Sequence, residues 1–212
     1  MAILFRFKKK DAEAALRLLV SSSVRLLITG RAGGGFAEEM YGQTAKQVNN
    51  EIISGVKGLQ EALVKALPTD LEFQNKFLAA TVSQNYLVQY YLQTLETEGS
   101  LDVEKVKNPS TDVVTVEHIM PKSLQKWPQI SPEIGRAYLR RLGNLALLKK
   151  GLNKDSEARP FSEKKQFYQQ SEFKLTKMLA ELPDKWGPEQ IEERQQALSK
   201  KAVKAWSLNL NL

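Results

Sequence analysis

One stretch of the chain, DVVTVEHI at residues 112–119, alternates its side chains as a β-strand does and is rich in β-branched residues. Val103 and Val106, shortly before it, extend the pattern, and Pro121 ends it. A second short strand is predicted at the apolar run LALL, residues 145–148. Since the other periodic segments read as helices, the sequence predicts a mostly α (α+β) fold with a small sheet.

The first hundred residues read almost entirely as helix. Residues 11–29 place leucine and valine at helical spacing, with Asp11 as the N-cap and Gly30 as the stop. The glycine-rich GRAGGGF that follows is interpreted as a linker, because a phosphate-binding loop would follow a strand and precede a Lys-Ser or Lys-Thr pair. Further helices are predicted at 37–66, with weak points at Gly55 and Gly58, and at 70–97 as one helix or two.

After the first strand, prolines and turn residues divide the chain. Loops are predicted at KSLQKWPQISPE (122–133) and at KKGLNKDSEARPF (149–161), with a short helix and a turn at Gly143-Asn144 between them. Helices are predicted at 161–182, ended by Pro183, and from Pro188 to about Trp206, with Ile191, Leu198, Ala202 and Trp206 spaced for burial. Trp127, Trp186 and Trp206 are expected in the core.

The chain has no cysteine and one histidine, which excludes several kinds of site. Without cysteine it forms no disulfide and no thiolate metal site, which suits a reducing cytoplasm. One histidine cannot supply the usual ligands of zinc, so a metal would bind oxygen ligands, which favours Mg²⁺ or Mn²⁺. No apolar run approaches the roughly 20 residues of a transmembrane helix, and the first residues lack the order of a secretory signal.

Positive charge is concentrated in the second half of the chain. Residues 118–177 carry 13 Lys and Arg against 5 Asp and Glu, out of a net charge of +7 for the whole chain. A local excess of this kind attracts polyanions, of which nucleic acid is the commonest, although a solvated surface alone would also account for it.

The lone histidine, His118, ends the first predicted strand and directly follows Glu117. Asn144 lies in the turn before the second strand, and Asn153 lies nine residues later, in the loop before the next predicted helix. This order is typical of ββα-metal (His-Me finger, or HNH) nucleases, which have a strand, a histidine, an asparagine in a turn, a second strand and a second asparagine before a helix. The central segment therefore resembles that group.

The resemblance is closer to one branch of these nucleases. The motifs VEHIMPK, LGNLALL and PFSEKKQFYQQS, in this order, are similar to the C-terminal nuclease domain of GmrSD-type, modification-dependent (type IV) restriction enzymes and of related phage-defence proteins that sense phosphorothioated DNA. The helical region before them also has a counterpart there. One departure is Glu157-Ala158, where the family often has Ser-Asn. Asn153 would then act without a second asparagine, helped by Ser156 or Asp155.

The resemblance implies a DNA endonuclease of the prokaryotic cytoplasm that nicks or cleaves duplex DNA in restriction or anti-phage defence. It implies a helical subdomain at 1–100, packed on an HNH nuclease core with C-terminal helices at 101–212. A nucleotide-hydrolysing domain usually precedes this one in the family, and this chain has no nucleotide site of its own. We therefore expect a missing N-terminal recognition domain or subunit. Whether the chain forms a homodimer is left open.

Phosphodiester hydrolysis explains the types of residue in the motifs. A neutral imidazole takes a proton from water near pH 7, so His118 is the predicted general base. Glu117 and Asn153 are the predicted ligands of one Mg²⁺ or Mn²⁺ per active site. Asn144 is expected to orient the imidazole, either by a hydrogen bond to it or by bracing its loop. Since adjacent strand residues point to opposite faces, Glu117 and His118 share one site only if the strand end twists or bulges.

Lysines and arginines around these motifs are predicted to contact DNA phosphates. They are Arg140, Arg141, Lys149, Lys150, Lys154, Arg159, Lys164 and Lys165.

Each of these roles has a simpler alternative. His118 could be structural or exposed, Glu117 an exposed strand residue, Asn144 only a turn residue, and Asn153 a loop cap. The alternative function is a non-catalytic DNA-binding or regulatory module with a degenerate nuclease site, which Glu157-Ala158 favours. A weaker alternative is a helical protein–protein adaptor.

Overall fold

The structure, a computed structural model, describes residues 1–97 and 113–209. Helices make up 63% of it, and the described residues contain one two-stranded sheet, which confirms the mostly α (α+β) fold. Two compact units are present: Met1–Phe77 with the residues from Ala202 onwards, and Leu78–Lys201. The predicted boundary between residues 100 and 101 lies outside the described residues, as do Val103, Val106 and Asp112.

The first unit is helical. Its helices are α1 (Ala2–Arg6), α2 (Lys9–Ile28), α3 (Phe36–Asn49), α4 (Gly55–Val64) and α5 (Asp70–Ala79), of which the last two residues belong to the second unit. The helix predicted at 11–29 is confirmed as α2, and its Leu18 and Leu26 are buried in one cluster with Leu59 and Leu63 of α4. Part of the expected apolar spacing is wrong, since Leu16, Val20 and Leu27 are exposed.

Two predictions for the first unit need correction. Asp11 is not the N-cap of α2, since the helix begins two residues earlier and Asp11 lies in its first turn. The predicted helix at 37–66 is two helices, and Gly55, one of the two expected weak points, has a φ of +81° at the start of α4. A left-handed φ of this kind is easy for glycine and breaks a continuous helix.

The second unit holds the sheet. Its elements are α6 (Asn85–Glu96), β1 (Val114–His118), α7 (Pro132–Tyr138), β2 (Leu145–Lys149), α8 (Lys150–Ser156), α9 (Phe161–Gln169), α10 (Lys174–Lys177) and α11 (Pro188–Ala205), of which the last residues belong to the first unit. Short 3₁₀ turns lie at Leu142–Asn144 and Met178–Glu181.

β1 and β2 pair antiparallel, with Val116 opposite Leu147 and His118 opposite Leu145. Leu145 to Leu148 of β2 are all buried, which explains why this strand is a continuous apolar run and does not alternate. The strand leads directly into α8, whose Asn153 hydrogen-bonds to β1. β1, β2 and α8 thus form a ββα unit, and His118 is the last residue of its first strand.

The tryptophans are buried, as predicted. Trp127 and Trp186 belong to the core cluster of the second unit, where the ring of Phe161 stacks on Trp186 with 5.0 Å between centroids. Trp206 is 1% exposed and packs edge-on against Phe73 in the first unit. None of the three is placed to stack on a base.

Two predictions for the second unit are wrong in detail. The predicted loop at 149–161 contains α8, and the predicted helix at 161–182 stops after Gln169. A distant carboxylate caps the helix that follows: Glu96 of α6 accepts hydrogen bonds from the backbone amides of Lys174 and Leu175, which begin α10. A chain turn followed by a separately capped short helix therefore replaces the continuous helix.

Among the described residues, no helix combines the length and the apolar character needed to cross a membrane.

Candidate active site

His118 lies at the end of β1 and is half-buried. Within the described residues, neither nitrogen of its imidazole takes part in a hydrogen bond. Burial, together with the positive charges of Lys122, Lys164 and Arg140, lowers the pKa of His118 to about 4. The imidazole is therefore neutral at pH 7 and able to accept a proton.

Asn144 is fully buried and braces the loop that follows His118. Its Oδ1 accepts hydrogen bonds from the amide of Met120 at 2.8 Å and from Trp186 Nε1 at 3.1 Å. Its Nδ2 donates to the carbonyls of Met120 at 3.0 Å and Leu139 at 3.2 Å. Of the two roles expected for Asn144, the geometry corresponds to bracing the loop, because its side chain contacts the backbone and not the imidazole.

The last helix holds the turn that carries Asn144. Arg194 Nη1 donates to the carbonyls of Gly143 and Leu145, each at 2.8 Å, and Gln195 Oε1 accepts from the amide of Gly143 at 2.6 Å. Neither residue was predicted from the sequence, since a polar pair on a helix usually indicates a solvated face. The only signal was the register of α11, in which Ile191 and Leu198 are also buried.

Asn153 is held against β1 by its amide group. Nδ2 donates to Thr115 Oγ1 at 2.6 Å and to the carbonyl of Val116 at 3.2 Å. In the part of the chain that the structure describes, no hydrogen bond engages Oδ1 of this residue. An amide oxygen fixed in this way fits a ligand for a hard cation such as Mg²⁺.

Glu117 is 3% exposed, and its carboxylate already accepts hydrogen bonds from other side chains. Three donors converge on Oε1: Lys164 Nζ at 2.6 Å, Tyr168 Oη at 3.0 Å and Ser156 Oγ at 3.2 Å. Burial raises the pKa of Glu117, and the Lys164 ammonium opposes this rise. A divalent cation on the other oxygen would lie close to that buried ammonium and be repelled by it, so Glu117 fits a metal ligand poorly.

Ser156 of α8 contacts both of the predicted metal ligands. Its Oγ lies within hydrogen-bonding distance of both Glu117 Oε1 and the main-chain carbonyl of Asn153. Glu117 points to α8 and α9, and Lys122, Lys164 and Arg140 lie near enough to His118 to lower its pKa. Among residues 1–97 and 113–209, no three His, Cys, Asp or Glu side chains form a group that could hold a metal ion.

Of the eight predicted phosphate contacts, Lys164 needs correction. Its side chain is 0% exposed, so it cannot reach a DNA backbone. Three others are engaged in ion pairs: Lys149 with Glu172, Arg159 with Glu163, and Lys165 with Asp184. Arg141 is half-buried over the Tyr138 ring, and Arg140 is exposed with Nη1 bonded to Ser83. Lys150 and Lys154 are exposed.

A comparison with protein families finds a match that covers the whole second unit. The model of the GmrSD restriction endonucleases, C-terminal domain, matches residues 67–201. No curated protein matches the chain. The family match includes the whole ββα unit and the turn at Asn144, and it confirms the resemblance drawn from the motifs. The chain belongs to the family of GmrSD restriction endonuclease C-terminal domains.

Proposed function

We propose that the second unit is a His-Me finger (HNH) endonuclease that hydrolyses phosphodiester bonds of duplex DNA with His118 as the general base. Membership of a restriction endonuclease family indicates a nuclease role in restriction. The observation that carries the finer proposal is the position of His118: it ends the first strand of a ββα unit, and its ring nitrogens have no protein partner among the described residues.

In the proposed reaction, a neutral His118 takes one proton from a water molecule as the water oxygen attacks phosphorus. A new P–O bond forms, the bond from phosphorus to the 3′ oxygen breaks, and the departing 3′ oxygen takes a proton from water. The products carry a 5′-phosphate and a 3′-hydroxyl. Asn144 keeps the histidine loop in place during this step, through its bonds to Met120.

The proposal includes a divalent cation, Mg²⁺ or Mn²⁺, which would neutralise charge on the scissile phosphate and the leaving oxygen. Asn153 Oδ1 would hold it. Water and the phosphate would supply most of the other oxygen ligands, as is usual for Mg²⁺.

DNA is the proposed substrate, and the exposed cations near the ββα unit support it. Lys122 and Arg140 lie near enough to lower the pKa of His118, and both are exposed. Lys150 begins α8 and Lys154 lies on it. We propose that recognition of a DNA modification, and any control by nucleotide hydrolysis, belongs to a partner domain or subunit.

The test is cleavage of supercoiled plasmid, with and without phosphorothioate linkages, in Mg²⁺, Mn²⁺ or EDTA. We expect metal-dependent nicking or linearisation by the wild type and a loss of at least about 100-fold in His118→Ala, within the range that general base catalysis supplies. Circular dichroism of the variant checks that it is folded. Equal cleavage by both proteins would rule out His118 as the base.

The Glu117–Lys164 ion pair favours one second candidate, a DNA-binding module with a degenerate site, because it neutralises a predicted metal ligand. This candidate predicts a salt-sensitive gel shift of DNA with no cleavage under any metal condition.

A further inference from the structure

Glu117 and Lys164 form a buried ion pair that the proposed reaction does not use. We infer that this pair is a positioning device for His118: Glu117 holds the ammonium of Lys164, and Lys164 holds the main-chain carbonyl of His118. Glu117 is then a positioning residue and not a metal ligand. The inference deepens the proposed function, on which it rests for the role of the imidazole.

The bonds converge on one peptide group, the group between His118 and Ile119. Its carbonyl accepts a hydrogen bond from Lys164 Nζ at 2.8 Å. Its amide donates to the carbonyl of Asn144 at 3.0 Å. Because both ends of the peptide plane are held, the ψ angle of His118 is fixed, and with it the direction in which the side chain leaves the strand.

Lys164 reaches this carbonyl from α9, and Glu117 keeps it there. The ammonium lies 2.6 Å from Glu117 Oε1, and the two side chains are 0% and 3% exposed. Tyr168 and Ser156 donate to the same carboxylate oxygen, so this oxygen does not depend on Lys164 alone for its hydrogen bonds. The pair is therefore tied to two elements, α8 and α9, and both fix its position relative to β1.

A buried ion pair is a costly way to stabilise a fold. The desolvation of the two charges offsets much of their attraction, and apolar residues of equal volume often serve as well or better. A buried pair that also directs a bond to the backbone beside the predicted base is better explained by geometry than by stability. A metal ligand, in contrast, is ordinarily free of a cation at contact distance.

The experiment compares Lys164→Met, Glu117→Gln and the double variant with Lys185→Met as the matched control. Lys185 lies outside the predicted DNA contacts, and its ion pair with Glu189 is at the surface. Each protein is assayed for kcat, for the Mg²⁺ concentration that gives half-maximal cleavage, and for urea stability. The imidazole signal of His118, the only histidine, is recorded by NMR without metal or DNA.

We expect Lys164→Met to lower kcat at least about tenfold, as a misplaced catalytic group does, with the half-saturating Mg²⁺ concentration unchanged. The His118 signal should shift in the same variant. In the double variant, stability should return because no unpaired charge is buried, but the signal and kcat should not, because the bond to the His118 carbonyl is still missing. Lys185→Met should match the wild type in every measurement.

Two results would overturn the inference. One is a Glu117→Gln variant that needs at least about tenfold more Mg²⁺, the effect of losing a ligand, while Lys164→Met keeps the wild-type His118 signal. The other is a double variant whose His118 signal matches that of the wild type. This result also tests the inference if the single variants fail to fold. If the wild type does not cleave DNA, the proposed function fails, while the NMR signal still tests the positioning.

Discussion

At the scale of single residues, the environment of His118 predicts an unusual titration. Burial, with Lys122, Lys164 and Arg140 nearby, lowers the pKa of His118 to about 4 from its ordinary value of 6.5. The unfolded chain then binds a proton at a higher pH than the folded protein, so stability is lost as pH falls from about 6.5 to about 4. The single imidazole makes the titration directly visible by NMR.

Lys122→Ala and Arg140→Ala should each raise the pKa of His118, because each removes a positive charge near the ring. The urea-unfolded chain, titrating near the ordinary value, is the control. A folded-state pKa at or above that of the unfolded chain would contradict this account of the site.

At the scale of elements, the turn that carries Asn144 is pressed against α11. A Cβ on Gly143 would lie 2.2 Å from the carbonyl oxygen of Ile191, a backbone atom that cannot move aside cheaply. Gly143→Ala should lower the free energy of unfolding by about 3 kcal/mol or more, as overpacking of a tight contact does. Urea denaturation measures this loss.

Gly151→Ala is the matched control, because no atom lies within 4 Å of a Cβ there. Gly151 is in α8, and the helix propensity of alanine should make this change neutral or stabilising by up to about 1 kcal/mol. Equal urea midpoints for the two alanine variants would mean that the turn is not packed on α11 as described.

At the scale of the whole molecule, the concentration of positive charge in residues 118–177 predicts where DNA binds. Binding should weaken linearly on a log–log plot against salt. The double change Lys150→Ala with Lys154→Ala should reduce the slope by up to about 2, since each phosphate contact contributes about 0.9. Fluorescence anisotropy of a labelled duplex at several salt concentrations measures the slope.

Lys46→Ala with Lys57→Ala, which removes two exposed lysines of the first unit, is the control and should leave that slope unchanged. Equal slopes for the two double variants would mean that the DNA-binding surface does not include α8.

The sequence by itself determined the elements whose pattern is local. The helical spacing of leucine and valine in residues 11–29 predicted α2, that of Ile191 and Leu198 predicted α11, and the alternation before His118 predicted β1. These succeed because a helix or strand repeats its burial within a few residues. The motifs VEHIMPK, LGNLALL and PFSEKKQFYQQS, in this order, were also enough to indicate the family, since order along the chain needs no coordinates.

Only the tertiary structure decided what depends on partners far away in the chain. Lys164 looked like a surface cation, but the contact that buries it is with Glu117, 47 residues away. The start of α10 involves Glu96, which is 78 residues from the amide of Lys174 that it caps. Asn144 was expected either to bond to the imidazole or to brace its loop, and only the structure shows that its partner is the backbone of Met120. A buried charge or amide must find a partner, but local sequence does not say which one, because the fold brings the two together.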